Sequence, residues 1–184
     1  MSGAVIKTDR LVLRPPAVSD LERCAELLGD HEVAKMLARV PHPYDLAKGR
    51  EFLRRSAANW AHWPAGDDVV FFVTRDNDLI GGVSVRALQD TPLIGYWLGR
   101  SHWGNGLMTE AVFAVVDWLF RVMNHQLIAS EAMTDNPASL KVMQKTGFRT
   151  VGRTERDSAS RGCKVAAIRT ELRRADFLDS FKTA

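Results

Sequence analysis

Gly104 and Gly106, in the run Trp103-Gly104-Asn105-Gly106-Leu107-Met108, are the residues of this chain best suited to hold an anion. Neither carries a Cβ, so the backbone there turns sharply and lets a ligand come close to its amides. An apolar run, Leu93 to Leu98, precedes them and an amphipathic run opens at Leu107, which reads as strand, loop and helix. The first N–H groups of such a helix lack intrahelical acceptors, and its dipole puts partial positive charge at the same end. Phosphate or pyrophosphate is the natural occupant. Two nucleotide fingerprints fail: Thr109 stands where a dinucleotide loop needs its third glycine, and the chain has no Gly-Lys-Ser/Thr. On these residues alone, a plain glycine loop between strand and helix stays open as the other reading.

Other reactive side chains add little by themselves. Cys24 falls on the apolar stripe Leu21, Cys24, Ala25, Leu28 and reads as core, while Cys163 lies in a turn after Arg161-Gly162; both are expected as reduced thiols. His102 sits in the glycine loop, and His31, His42, His62 and His125 are isolated, with no pair at metal-ligand spacing, so no metal is expected.

The elements that must position the loop follow from periodicity and punctuation. Arg10 to Arg14 reads as a strand stopped by Pro15-Pro16, and Ser19 as the cap of a helix running to Leu28. A second helical piece spans His31 to Ala38. Asp45 opens a longer helix through Phe52, Leu53, Ser56, Ala57 and Trp60. Val69 to Arg75 and Leu79 to Leu88 form a hairpin across Asp76-Asn77-Asp78, and Gly81-Gly82 marks a bulge or a close backbone approach. After the strand Leu93 to Leu98, the helix from Leu107 packs through Ala111, Ala114, Val115, Trp118 and Val122. Leu127 to Ala132 is a strand. Asn136 caps the next helix with Pro137 in its first position, Gly147 ends it, and the strands Val151 to Arg156 and Val165 to Leu172 precede a tail helix, Ala175 to Phe181. This is a mixed α/β order, and 184 residues suit one domain spanning 1–184.

Composition narrows the class. Hydrophobic residues at 46% and charged residues at 26% suit a soluble globular chain. The first ten residues show no secretory pattern and the longest apolar stretch is broken by Asp117, so the expectation is a cytoplasmic protein without a membrane partner. Net charge is +3, but residues 141–174 hold ten Lys/Arg against three Asp/Glu. That basic third could face a polyanionic cofactor, a nucleic acid or solvent. With no aromatic-interleaved basic run and no zinc-ligand spacing, direct nucleic-acid recognition is not expected.

Four motifs in order bring in a family. The glycine loop resembles the acetyl-coenzyme A loop of the GNAT acyltransferase superfamily, Gln/Arg-x-x-Gly-x-Gly/Ala, with Ser101 at the Gln/Arg position and Arg100 one residue before it. Asn136-Pro137-Ala138-Ser139 through Lys145-Thr146-Gly147-Phe148 is similar to the Asn-x-x-Ser…Lys-x-Gly-Phe pattern of its RimJ/RimL branch, the ribosomal-protein N-terminal acetyltransferases and relatives. Arg10-Leu11-Val12-Leu13-Arg14, Ile94-Gly95-Tyr96-Trp97-Leu98 and Thr109-Glu110-Ala111 fit the same branch.

The resemblance implies a GNAT fold, with a mostly antiparallel central sheet flanked by helices and a splayed strand pair holding acetyl-coenzyme A. It implies an N-acetyltransferase moving acetyl from acetyl-coenzyme A to a primary amine, foremost a protein N-terminal α-amine. A small-molecule amine (polyamine, amino acid or antibiotic) and a non-catalytic acyl-coenzyme A sensing domain are the alternatives, and a homodimer is implied by analogy. The early helices would shape the acceptor pocket. The Leu98 backbone N–H would polarise the thioester carbonyl, the amides of Trp103, Gly104, Asn105, Gly106, Leu107 and Met108 would hold the pyrophosphate, and Asn136 would meet the pantetheine arm. Lys145 or Lys141 would reach a phosphate or simply line a solvated helix face. Many superfamily members carry a tyrosine acid where this chain has Met143, which leaves Ser139 as the proton donor to the leaving thiolate, or as a hydroxyl serving the helix N-terminus. For a base, Asp67, Asp68, Asp90 and Glu131 are carboxylates near strands, but each reads first as a surface or turn carboxylate. Tyr96 and Trp97 either wall the acceptor site or pack.

Overall fold

The computed structural model describes residues 4–179. One eight-stranded sheet runs through them in the order β1 (Ile6–Lys7), β2 (Val12–Arg14), β3 (Val69–Arg75), β4 (Asp78–Arg86), β5 (Leu93–Leu98), β6 (Leu127–Met133), β8 (Cys163–Arg173), β7 (Arg149–Ser158). All neighbours are antiparallel except β5 and β6, which are parallel and pair only at Leu93 with Ala129 and Ile94 with Ser130. Beyond Ile94 the two strands part. That divergence, expected from the family resemblance, opens the sheet in its middle.

Helices cover both faces because the strands alternate apolar residues to both. On one face Phe71, Val83, Val85, Ile94 and Leu98 pack under α4 (Leu107–Arg121), whose Ala111, Val112, Val115, Val116, Leu119 and Phe120 are fully buried. On the other face Val70, Phe72 and Leu79 meet α1 (Leu21–Gly29) and Leu53 of α3 (Leu46–Ala61). Asp76 and Asn77 take left-handed φ values of 52° and 67°, the two-residue turn that matches strand twist, so β3 and β4 pair from Arg75 and Asp78 onward. The bulge lies beside Ile80, between the pairs Val73–Gly81 and Thr74–Leu79. Gly81 itself is a close approach: a Cβ there would stand 2.5 Å from the Trp97 carbonyl oxygen. Gly81→Ala is expected to push β5 off β4 and destabilise the fold by about 1–3 kcal/mol, read as a lowered urea midpoint.

Several boundaries differ from the sequence reading. Asp20, not Ser19, organises the start of α1: its carboxylate accepts the Ala17 amide at 2.7 Å and the Arg14 guanidinium at 2.7 and 2.9 Å. Burial alone would raise Asp20, but Arg14 and the Ala17 amide outweigh it and hold the carboxyl below its usual range. α2 is only His31–Ala34: Met36 and Leu37 donate three residues back, to Val33 and Ala34, and the carbonyls of Ala34, Lys35 and Ala38 also accept the Ser160 hydroxyl, Arg161 and the Ala159 amide from outside. His31 and His42, isolated in sequence, lie with ring centroids 4.9 Å apart. Val122 follows the last residue of α4 and is exposed rather than on its packed face. Cys163 opens β8 instead of sitting in a turn. Both cysteines are free, and burial pushes the Cys24 thiol up to about 12. The tail helix α6 is Arg174–Asp179, so the expected end at Phe181 lies outside the described residues. No described helix is long and apolar enough to cross a membrane.

Candidate active site

A cavity of about 450 Å³ fills the gap between β5 and β6. At one mouth it is walled by the loop after β5 and the first turn of α4; at its centre stand β5, β6 and the start of α5 (Pro137–Lys145); at the far side lies the segment Met36 to Ala38. Of the residues expected at the site, Leu98, Trp103, Gly104, Gly106, Leu107, Met108, Asn136, Ser139 and Lys145 line it. Asn105 does not: its side-chain amide closes the loop on the carbonyls of His102 and Trp103.

The loop is built for an anion. Gly104 and Gly106 both hold left-handed φ, 78° and 74°, and Gly106 is the residue from which α4 starts. A Cβ at Gly104 would meet nothing within 4 Å, and one at Gly106 only the tip of Arg10 at 3.7 Å. These glycines are therefore required by backbone conformation and by open space on the ligand side, not by crowding within the protein. Among the described residues no acceptor takes the amides of residues 104 to 109, and the buried His102 Nε2 at the cavity wall has no partner. Free amides converging at a helix start fit a pyrophosphate.

A support absent from the sequence reading holds this loop in shape. Arg10 donates to Glu110 at 2.6 Å and to the Asn105 carbonyl at 3.1 Å, while Thr8 donates to Glu110 at 2.6 Å. Burial would raise Glu110, but these donors outweigh it and keep the carboxylate charged. Arg10 and Glu110 belong to two of the quoted motifs, which was the available signal; nothing local showed that they meet. Trp103 Nε1 also donates to the Leu98 carbonyl at 2.7 Å, fastening the loop to the end of β5. Arg100 instead lies 4.0 Å from Asp30.

At the centre the backbone of β5 offers a donor. Gly99 N–H donates to Ile80 on β4, and antiparallel alternation then turns the N–H of Leu98 away from β4, into the gap β6 has left. Asn136 Oδ1 accepts the Ser139 amide at 3.1 Å, so the asparagine caps α5. The Ser139 hydroxyl is 2.9 Å from the Tyr96 phenol, which also donates to the Ser139 carbonyl at 3.0 Å. Burial pushes Tyr96 far above the ordinary phenol range, beyond the opposing effect of Ser139, so the phenol keeps its proton. Met143, at the superfamily's tyrosine position, is fully buried.

Parity separates the two sides of the gap. Tyr96 and Ile94 point toward α4 and α5; Glu131, flanked by the core residue Ala132, points to the opposite face, where Arg156 binds it and Arg169 stands 3.7 Å away. Glu131 is the one carboxylate on the cavity wall among the described residues; Asp67, Asp68 and Asp90 are not on it. No described group of three or more His, Cys, Asp or Glu is placed to hold a metal ion.

A cavity in a split sheet, with free amides at one mouth and a hydroxyl and a free backbone donor on its walls, has room and donors for a phosphate-bearing ligand. Residues 10–149 match the acetyltransferase (GNAT) domain family, and the chain belongs to it. It is 40% identical over 85 residues to the probable N-acetyltransferase YjcK of Bacillus subtilis, a match covering 44% of this chain and 47% of that protein. It is 30% identical over 82 residues to the ribosomal-protein-serine acetyltransferase of Escherichia coli, covering 43% and 46%. Each of these two matches spans a little under half of the relative. The structure of RimL, a ribosomal L7/L12 alpha-N-protein acetyltransferase in complex with coenzyme A, superposes with a TM-score of 0.80 at 19% identity, over 92% of this chain and 98% of that one.

Proposed function

We propose that this chain acetylates α-amines, with peptide or protein N-termini as the acceptors of first choice. The observation that carries the reading is the wall of the cavity: its only described carboxylate, Glu131, is held by Arg156 with Arg169 close by, so no free carboxylate faces the gap. An α-amine with a pKa near 8 is partly neutral at neutral pH and needs none, whereas a lysine side chain would carry a deprotonation cost of roughly 4 kcal/mol. The alpha-N-protein activity of RimL and the serine acetyltransferase named above support the same acceptor.

Acetyl-coenzyme A, when bound, supplies the acetyl thioester and the thiol that leaves. The free amides of residues 104–108 hold its pyrophosphate, whereas the Trp103 amide, expected among them, is taken by the Arg100 carbonyl at 3.2 Å; Lys145 stands near the helix face beside it and Asn136 toward the pantetheine arm. Leu98 N–H donates where negative charge develops on the carbonyl oxygen. As the amine nitrogen bonds to the acetyl carbon and the C–S bond breaks, Ser139 gives its hydroxyl proton to the sulfur. Tyr96 turns its O–H to Oγ to stabilise the oxygen left behind, and the proton shed by the amine returns to Ser139 through water.

A small-molecule amine is the second reading, favoured by the roof of Met36, Leu37 and Ala38, which is tied to the β7–β8 turn and narrows the acceptor side. Thiol release measured against peptides with varied N-termini and against small amines separates the two. Because Tyr96 stays protonated, the rate is expected to rise through pH 8 as the acceptor amine deprotonates and then stay level to pH 10; a fall above pH 9 would put an ionising phenol in the mechanism. The reading carries a cytoplasmic setting, which the free Cys24 and Cys163 suit.

A further inference from the structure

We infer that the acceptor carries an anionic group close to its reactive amine, a carboxylate or phosphate, and that Arg86 receives it with Arg156 across the gap. This rests on the acetyltransferase reading above and adds the charge of the acceptor to it.

Arg86 ends β4 on the side opposite α4, since Val83 and Val85 of the same strand pack into the α4 core. It lines the cavity on the acceptor side, together with Met36, Ala38, Glu131 and Arg156. The side chain is half-buried, yet no described residue gives it a hydrogen bond or an ion pair. A guanidinium has five donors in a fixed fork, and leaving them unmet in a partly desolvated wall is costly. Neighbouring charges do not relieve it. Burial first, then Arg39 and Arg156, push the Arg86 pKa down against the weaker pull of Asp68 and Glu131. Glu131 cannot serve as its counter-ion, because its carboxylate is bound by Arg156 and faces Arg169 at 3.7 Å.

The acceptor-side wall therefore presents Arg86 and Arg156 against the single carboxylate Glu131, which Arg156 and Arg169 already hold from beside it. A fork left open in such a field matches a carboxylate or phosphate, which it can hold by two parallel hydrogen bonds. The same field repels polycations, so a polyamine or a basic antibiotic is the wrong acceptor. Two sources can bring the anion: an acidic side chain at the second or third residue of a peptide, or the carboxylate of a free amino acid.

The test uses the full chain and matched acceptors: peptides differing only by Glu, Gln or Lys at the second and third positions, and free amino acids beside their carboxamides. Thiol release from acetyl-coenzyme A gives kcat/KM. Calorimetry with coenzyme A present gives acceptor affinity independently of transfer. The expected result is a preference of tenfold or more for the acidic partner in at least one series, residing in KM. Arg86→Gln should collapse that ratio toward one while acetyl-coenzyme A affinity holds; Arg86→Lys should restore part of it. The series showing the preference identifies the source of the anion.

Equal or reversed charge preference, or a preference untouched by Arg86→Gln, overturns the inference. Transfer without charge preference would leave the acetyltransferase reading standing and remove this one. Charge-selective binding lost in Arg86→Gln, but with no transfer to any amine, would keep Arg86 as an anion-binding residue and overturn the acceptor reading on which the inference rests.

Discussion

Ser139→Ala is expected to lower kcat by about 100-fold or more, the usual range for removing a positioned proton donor, with acetyl-coenzyme A affinity nearly unchanged. The geometry separates this from a structural effect. The N-terminus of α5 is capped by Asn136, whose Oδ1 takes the Ser139 amide, while the Ser139 hydroxyl faces Tyr96. Losing the hydroxyl thus removes no cap, and thermal stability should move little, whereas Asn136→Ala should cost about 1 kcal/mol. Tyr96→Phe leaves Ser139 in place but removes the phenol 2.9 Å away, so a smaller loss of roughly tenfold in kcat is expected. Full turnover in Ser139→Ala, measured by thiol release, would take Ser139 out of proton transfer.

Gly106→Val is expected to raise the Kd for acetyl-coenzyme A by tenfold or more, read by calorimetry, with only a modest loss of stability. At φ 74° a side chain costs roughly 1–2 kcal/mol, which the fold can absorb because a Cβ there touches nothing nearer than Arg10 at 3.7 Å. The ligand cannot absorb it so easily: the new side chain stands at the start of α4, among the free amides. Gly162→Val is the control. Gly162 has φ 65° and open space around its Cβ position, but lies in the β7–β8 turn away from the cradle, so strain without loss of affinity is the expected outcome. Equal loss in both variants would mean that the effect comes from strain alone.

The parts of this site that rest on neighbours in sequence were legible without a structure. The apolar run Leu93 to Leu98, the two glycines and the amphipathic run after Leu107 specify strand, loop and helix start within fifteen residues, and with them the free amides. Asn136-Pro137 likewise announces its own cap. Such signals are legible because backbone conformation and capping depend on residues three or four apart.

What only the tertiary structure decided depends on residues far apart. Tyr96 reaches Ser139 across 43 positions, Arg10 reaches Glu110 across 100, and Ser160 and Arg161 reach the carbonyls of Ala34 and Lys35 across 126. A period of two places Arg86 and Glu131 on a face of the sheet but cannot say what stands opposite. That was set by the strand order, in which β8 enters between β6 and β7 and carries Arg169 beside Glu131 while β7 brings Arg156. The sequence by itself therefore determined the loop proposed to hold phosphate, whose free amides belong to the backbone of one short segment. The acceptor side was decided by the tertiary structure, because its charge is a sum over side chains from four strands that meet only when the sheet is assembled.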